Sequence, residues 1–279
     1  GLTLRAEVGA GRNWGETKYY ENGLTQGHKV AKLTRSEGYN LRNVNTLNYQ
    51  VQGLSDKHSL SFLLGQETIV SKSNSTEIEG HGYPAGFDFD QAFGMIDQTD
   101  KSLAKDKFSN SIGTPDKTVS FFARANYSLL DRYLLTVTFR ADGSSKFARG
   151  KRYGVFPSVS AGWTISNEKF METTQNWLDF LKLRISWGQV GNQNIDNYQY
   201  TAPITSSNTH YIFGTNYGAS AQSSYWGAYP SRLANSDVTW ETSEQTNIGI
   251  DARFLRSRLS LTADFYIKTT KDWLVEAPI

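Results

Sequence analysis

The most regular pattern of apolar and polar positions lies between Val119 and Ile165. Tyr133, Leu135, Val137 and Phe139 alternate with Leu134, Thr136, Thr138 and Arg140. Val155, Pro157, Val159, Ala161, Trp163 and Ile165 then alternate with Phe156, Ser158, Ser160, Gly162 and Thr164. Successive side chains leave a strand on opposite sides, so a period of two with one apolar face predicts β-structure. Strands of soluble domains usually run about 5–6 residues, whereas membrane-spanning strands need roughly 9–11. These segments match the longer class. The alternation recurs at Leu2–Ala10, Leu47–Val51, Leu60–Leu64, Phe121–Tyr127, Leu181–Trp187, Thr246–Phe254 and Leu259–Ile267.

Connections sort into two kinds. Gly53–Lys57, Leu129–Arg132 and Leu255–Arg258 are tight turns. Gly11–Tyr39, Ser71–Lys117, Asp142–Arg152 and Gly191–Asp237 are polar stretches expected to be long loops. Ser166–Phe180 is expected to be a short helical connector carrying Phe170, Met171 and Trp177, on the turn side. In outer-membrane barrels short turns face the periplasm and long loops face outside, and this alternation of turn and loop follows that rule. The predicted fold is all-β: an antiparallel transmembrane β-barrel, with about nine long strands as part of a larger one, because single-chain bacterial barrels have even counts.

Composition agrees with this reading. Apolar residues are 38% and mean hydropathy is −0.51, and no run approaches the ~20 apolar residues of a spanning helix. A barrel exposes only alternate residues to lipid, so its average looks soluble. Aromatics at 13% suit interfacial girdles, with Tyr127 and Tyr133 flanking one turn, and they would equally suit a sugar-binding β protein. Without cysteine there is neither a disulfide framework nor a thiolate metal site. A net charge of +2 gives no electrostatic case for nucleic acid. Gly1 opens directly into the first alternating run, as a mature or excised piece would.

Candidate chemistry is sparse. Arg140 and Asp142 end a strand beside Gly143-Ser144-Ser145. They form either a charge pair near the outer mouth or a loop anchor in which Gly143 supplies an unusual backbone geometry and the serines bond the turn. Arg124, Arg184, Asp251 and Arg253 share the polar face and read as generic lumen lining. Tyr211, Tyr217, Tyr225, Trp226 and Tyr229 crowd the longest loop, where exposed aromatics suit flat sugar faces, protein partners or simple loop packing. The run Phe87–Asp90 lacks EF-hand spacing, and the four histidines show no ligand spacing. No nucleophile elbow or paired-carboxylate constellation is present. No catalytic residue, metal or cofactor is expected.

Specific segments carry a resemblance. Arg132–Phe147 (RYLLTVTFRADGSSKF), Tyr153–Trp163 (YGVFPSVSAGW), Trp177–Ile195 (WLDFLKLRISWGQVGNQNI), Trp240–Leu255 (WETSEQTNIGIDARFL) and Leu259–Leu274 (LSLTADFYIKTTKDWL) follow one another in this order. Together they resemble the SusC/RagA family of TonB-dependent outer-membrane transporters; the first half of the chain resembles it more loosely, through Leu47–Tyr49 and His58–Glu67. The resemblance implies import of oligosaccharides or peptides across the outer membrane of a Gram-negative bacterium. It implies a SusD-like surface lipoprotein as cap, and TonB acting through a plug domain inside a barrel of about 22 strands. Residues 1–279 are expected to supply barrel wall only, with plug, TonB-binding segment and final strands absent. Two other readings share parts of the pattern: a complete small porin or autotransporter-type barrel, and a soluble carbohydrate-binding β-sandwich.

Overall fold

A computed structural model describes residues 1–174, 176–206, 210–213 and 223–275, with backbone alone at 210–213 and 223–226. Fourteen strands occur among the described residues. They are β1 Leu2–Glu21, β2 Val30–Gln50, β3 His58–His81, β4 Lys107–Ile112, β5 Asp116–Leu129, β6 Tyr133–Ser144, β7 Tyr153–Thr164 and β8 Leu178–Asn192. The short β9 Ile204–Thr205, β10 His210–Phe213, β11 Ser223–Trp226 and β12 Tyr229–Pro230 come next, followed by β13 Glu241–Phe254 and β14 Leu259–Lys271. The main sheet runs β1-β2-β3-β5-β6-β7-β8-β13-β14, with β4 pairing on β3. Its nine-strand path is the number that the alternation predicts. No helix among the described residues is long and apolar enough to cross a membrane. The chain divides into two compact units: residues 1–4, 46–65 and 120–279, and residues 5–45 and 66–119.

In the first unit, register turns the sequence alternation into rows. Leu135, Ala161, Ile185, Ile248 and Phe265 lie in one line across β6, β7, β8, β13 and β14. Val137, Val159, Trp187, Thr246 and Ile267 form the next, and Tyr133, Trp163, Leu183, Ile250 and Ala263 a third. Residues in these rows remain open: Val137 is 46% exposed and Phe265 68%. A soluble sheet would bury such a face against another layer. The opposite face carries Thr136, Ser160, Ser186, Asn247 and Tyr266 in one row, and Thr164, Lys182, Asp251 and Thr262 in another. Among the described residues of this unit, Phe147, Phe156 and Trp240 form a buried cluster with Ile195 and Val238 against it, and Leu178 and Ala252 are buried besides.

The turns of this unit gather at one end of the sheet. Leu130 N donates to Lys57 O at 2.6 Å, tying the β5–β6 turn to the β2–β3 turn, and Thr164 N donates to Arg132 O at 2.7 Å. Leu255 N donates to Trp177 O at 3.0 Å. Leu130 and Asp131 both have positive φ, the backbone of a two-residue hairpin turn matched to strand twist. The expected helical connector consists of two 3₁₀ segments, Ile165–Asn167 and Lys169–Thr174, with Phe170 and Met171 on the second. Trp177 lies beyond them and stacks on Phe254, ring centroids 6.1 Å apart.

The second unit overturns two loop expectations. The stretch from Gly11 to Tyr39 is mostly strand, because β1 and β2 run on to either side of a short connection at 22–29. Likewise β3 continues to His81, and 82–117 holds helix α1 Phe89–Gly94, a 3₁₀ turn and β4. Past Ala10 these strands lack apolar alternation, and side-chain pairs such as Arg35 with Glu16 (2.8 Å) and Arg42 with Glu67 (2.7 Å) add to their backbone pairing. A small core of Ala31, Tyr83 and Ala92, with Tyr20, Phe87 and Phe93 against it, holds the 82–106 segment. The Phe-Asp-Phe-Asp run starts α1: Asp88 accepts from Gln91 N at 2.9 Å, and Gln91 Oε1 accepts from Asp88 N at 3.0 Å. This reciprocal pair is a capping box.

Candidate functional site

Arg140 and Asp142 sit at the loop end of β6. Asp142 is buried, and both its carboxylate oxygens accept from Arg140 Nε at 2.8 Å. Arg140 Nη2 also donates to the buried Ser120 Oγ at 3.1 Å, and the guanidinium lies 5.5 Å from the Phe122 ring centroid. The pair thus ties the end of β6 to β5. Gly143 does not have the unusual backbone expected of it: the positive-φ glycine of this loop is Gly150. Gly143 is small for a steric reason, since a Cβ there would lie 2.6 Å from the Tyr153 ring, its cross-strand partner. Ser144 does bond the turn, its Oγ accepting from Lys146 N at 3.1 Å.

The loop after Ser144 is seated by aromatics rather than charge. Phe147 is fully buried against Trp240, ring centroids 5.3 Å apart, and Phe156 packs edge-on to Trp240 at 5.5 Å. Trp240 Nε1 donates to Arg152 O at 2.8 Å. Phe156 shares strand parity with Ser158 and Ser160, so the cluster stands on the polar face of the sheet. Gly154 and Gly191 make room for it, because a Cβ at either would come within 2.4 Å of the Phe156 ring.

Further along the same face, Arg184 Nε donates to Asp251 Oδ2 at 2.7 Å, and Arg184 Nη2 reaches Asp264 at 3.1 Å. Gly249 stands between these partners; a Cβ there would lie 2.4 Å from Asp264 Oδ1. Arg124 Nε donates to Thr138 Oγ1 at 3.2 Å, and Arg253 lies over the Phe180 ring. At the turn end, Glu168 collects three donors: Tyr133 Oη at 2.6 Å, Trp163 Nε1 at 3.1 Å and Arg132 Nη1 at 3.1 Å. The bonds from Tyr133 and Trp163, with the Arg132 charge, hold its carboxyl below the usual range. Sequence reading missed this hub because its donors come from different strands. Tyr133 stacks on Trp163, and His58 Nδ1 lies 2.8 Å from Tyr127 Oη, so aromatics cluster at this end.

Of the loop aromatics, Tyr229 is exposed and pairs with Thr205 in a two-residue ladder. The side chains of Tyr211, Tyr225 and Trp226 lie outside the described residues, as does Tyr217 altogether. Among the described residues no group of three or more His, Asp or Glu could hold a metal ion.

A sheet of long antiparallel strands with one open apolar face and one polar face defines a β-barrel wall protein. The family model "TonB dependent receptor-like, beta-barrel" matches residues 2–279, and the chain belongs to that family. It is 36% identical over 234 residues to the TonB-dependent receptor SusC of Bacteroides thetaiotaomicron, covering 80% of this chain and 22% of SusC. It is 31% identical over 270 residues to the TonB-dependent receptor P39 of Formosa agariphila, covering 95% of this chain and 23% of P39. Among solved structures it resembles the RagAB peptide transporter with a TM-score of 0.78 and 27% identity, covering all of this chain and 29% of that one. The chain therefore spans about a quarter of the length of these relatives.

Proposed function

We propose that residues 1–279 form part of the transmembrane wall of an outer-membrane importer in a Gram-negative bacterium. The observation that carries this reading is the open apolar band across β6, β7, β8, β13 and β14, backed by a polar face. Lipid is the surrounding that stabilises such a band. The imported solute is an oligosaccharide, a SusD-like lipoprotein caps the barrel, and TonB drives opening through a plug supplied from outside residues 1–279. The likeness to the RagAB peptide transporter favours a second substrate reading, peptides.

Within this reading the Arg140–Asp142 pair and Gly143 anchor the outward loop, while Tyr211, Tyr217, Tyr225, Trp226 and Tyr229 meet the cap protein or the solute. The protein acts in transport, not as an enzyme. The test is a deletion strain grown on single oligosaccharides and on peptides, with membrane fractionation alongside. Loss of growth on one solute class, restored by the gene, supports import. Unchanged growth and uptake on every class, or recovery in the soluble fraction, contradicts it.

A further inference from the structure

Strand parity places Ala6, Val8, Ala10, Arg12, Trp14 and Glu16 on one face of β1. Trp14 is 81% exposed, an unusual state for an indole without a partner. It forms one side of a trough of about 570 Å³ within the second unit. Glu16, Arg35, Glu37, Asn74, Thr76 and Asn110 line the floor, and Ile112, 69% exposed, stands on β4. Asn74 pairs with Ile112 and Thr76 with Asn110 in the β3–β4 register. Four adjacent strands span roughly 14 Å at the usual spacing.

The polar floor is ordered by its own bonds. Arg35 Nε donates to Glu16 Oε2 at 2.8 Å, and Arg12 Nη2 donates to Glu37 Oε2 at 3.3 Å. Asn74 Nδ2 donates to Glu37 Oε1 at 3.4 Å, and Thr76 Oγ1 to Asn110 Oδ1 at 2.9 Å. A guanidinium carries five N–H donors and a carboxylate about four acceptor positions, so these pairs can also bond hydroxyls. Glu16 and Glu37 are each met by a guanidinium, Arg35 and Arg12, so no uncompensated charge on the floor selects a ligand by its own charge. A peptide adding as a strand needs an unpaired sheet edge, whereas this trough lies on a sheet face. A pyranose ring offers an apolar C–H face to a flat indole and a rim of hydroxyls to amides and carboxylates.

We propose that the Trp14 trough is a saccharide-binding site. The sugar can come from an outer-leaflet glycolipid or from a free oligosaccharide. The first source is favoured by the face that Trp14 shares with the exposed apolar Val8, and it alone rests on the outer-membrane reading above.

The experiment uses the full-length protein in detergent and in lipid nanodiscs. Rough-type lipopolysaccharide and soluble maltohexaose and cellohexaose serve as probes in calorimetry. Saturable binding is expected to weaken about tenfold in Trp14→Ala and to return in Trp14→Tyr, since one aromatic stack contributes on that order. Trp14-dependent binding of the lipopolysaccharide alone assigns the lipid-linked source, and binding of a hexaose assigns the free one. Glu37→Gln, expected to fold normally, provides a second readout through a lost hydroxyl contact. Absence of binding by every probe, or equal binding by Trp14→Ala, overturns the site. A protein that fractionates with the outer membrane and imports solute, yet shows no Trp14-dependent binding, loses this inference alone.

Discussion

The two units use strands of similar length in opposite ways. In the first unit, apolar side chains stand in rows on an open face, and the buried apolar side chains among the described residues are Phe147, Phe156, Leu178, Trp240 and Ala252. In the second, strands carry charge along their length, and a compact cluster around Ala31, Tyr83 and Ala92 holds the 82–106 segment. Exposure therefore means different things in the two places. On the proposed reading an open Ile185 or Phe265 answers to lipid, while an open Phe108 in β4 answers to water.

That contrast predicts its largest effect at the apolar rows. Ile185→Arg places a charge on the lipid face and is expected to destabilise the folded protein by about 2–4 kcal/mol if it sits near the bilayer midplane. Phe108→Arg, at a position 78% exposed, is expected to change stability by no more than about 0.5 kcal/mol. Urea unfolding in liposomes measures both, and equal costs would erase the distinction between the units.

A smaller effect is expected inside the second unit. Tyr83 is buried and its hydroxyl donates to Ile96 O at 2.9 Å, so Tyr83→Phe should cost about 1 kcal/mol by thermal unfolding. Burial, with the charges of Asp106 and Asp97, pushes its phenol up to about 12. The unfolded chain loses this proton first, near its ordinary value of about 10. The associated stability is complete below that value and is lost as pH rises toward about 12. Denaturation curves across this range should show the loss in the wild type and not in Tyr83→Phe.

The smallest expected effect is at acid pH. Burial raises the Glu79 carboxyl, but bonds from His81 (2.8 Å) and Lys107 (3.1 Å) outweigh it and leave it below its usual value. Asp106 behaves alike: burial is outweighed by Lys101, Thr99 and the His81 backbone N–H. Depressed carboxyls stabilise the fold above their unfolded pKa values, and this is lost as pH falls through the folded ones. Urea midpoints measured from about pH 7 to about pH 3 should fall less in Asp106→Asn than in the wild type.

Legibility followed the same division. In the first unit the period of two was visible because every second side chain belongs to the apolar rows, as the proposed lipid face requires. Register then confirmed Tyr133, Leu135 and Val137 against Trp163, Ala161 and Val159. In the second unit the strands past Ala10 carry no such pattern. Strand there depends on backbone ladders and cross-strand pairs such as Arg42 with Glu67, which no local pattern announces. Helix α1 was hidden for another reason: six residues are too few to display a helical period, and its capping box was the only cue. Among the candidate residues, the proximity of Arg140 to Asp142 was legible from their spacing on one strand face. The link to Ser120 and the steric role of Gly143 were not, because each depends on a partner brought in by pairing.

On the proposed reading the apolar rows of the first unit face lipid. The chain has no cysteine, so single cysteines can be placed at successive positions from 133 to 140, labelled with a fluorophore and reconstituted with brominated lipid. Quenching is expected with a period of two, strong at 133, 135, 137 and 139 and weak at 134, 136, 138 and 140. Uniform quenching along β6, or none at any position, would contradict it.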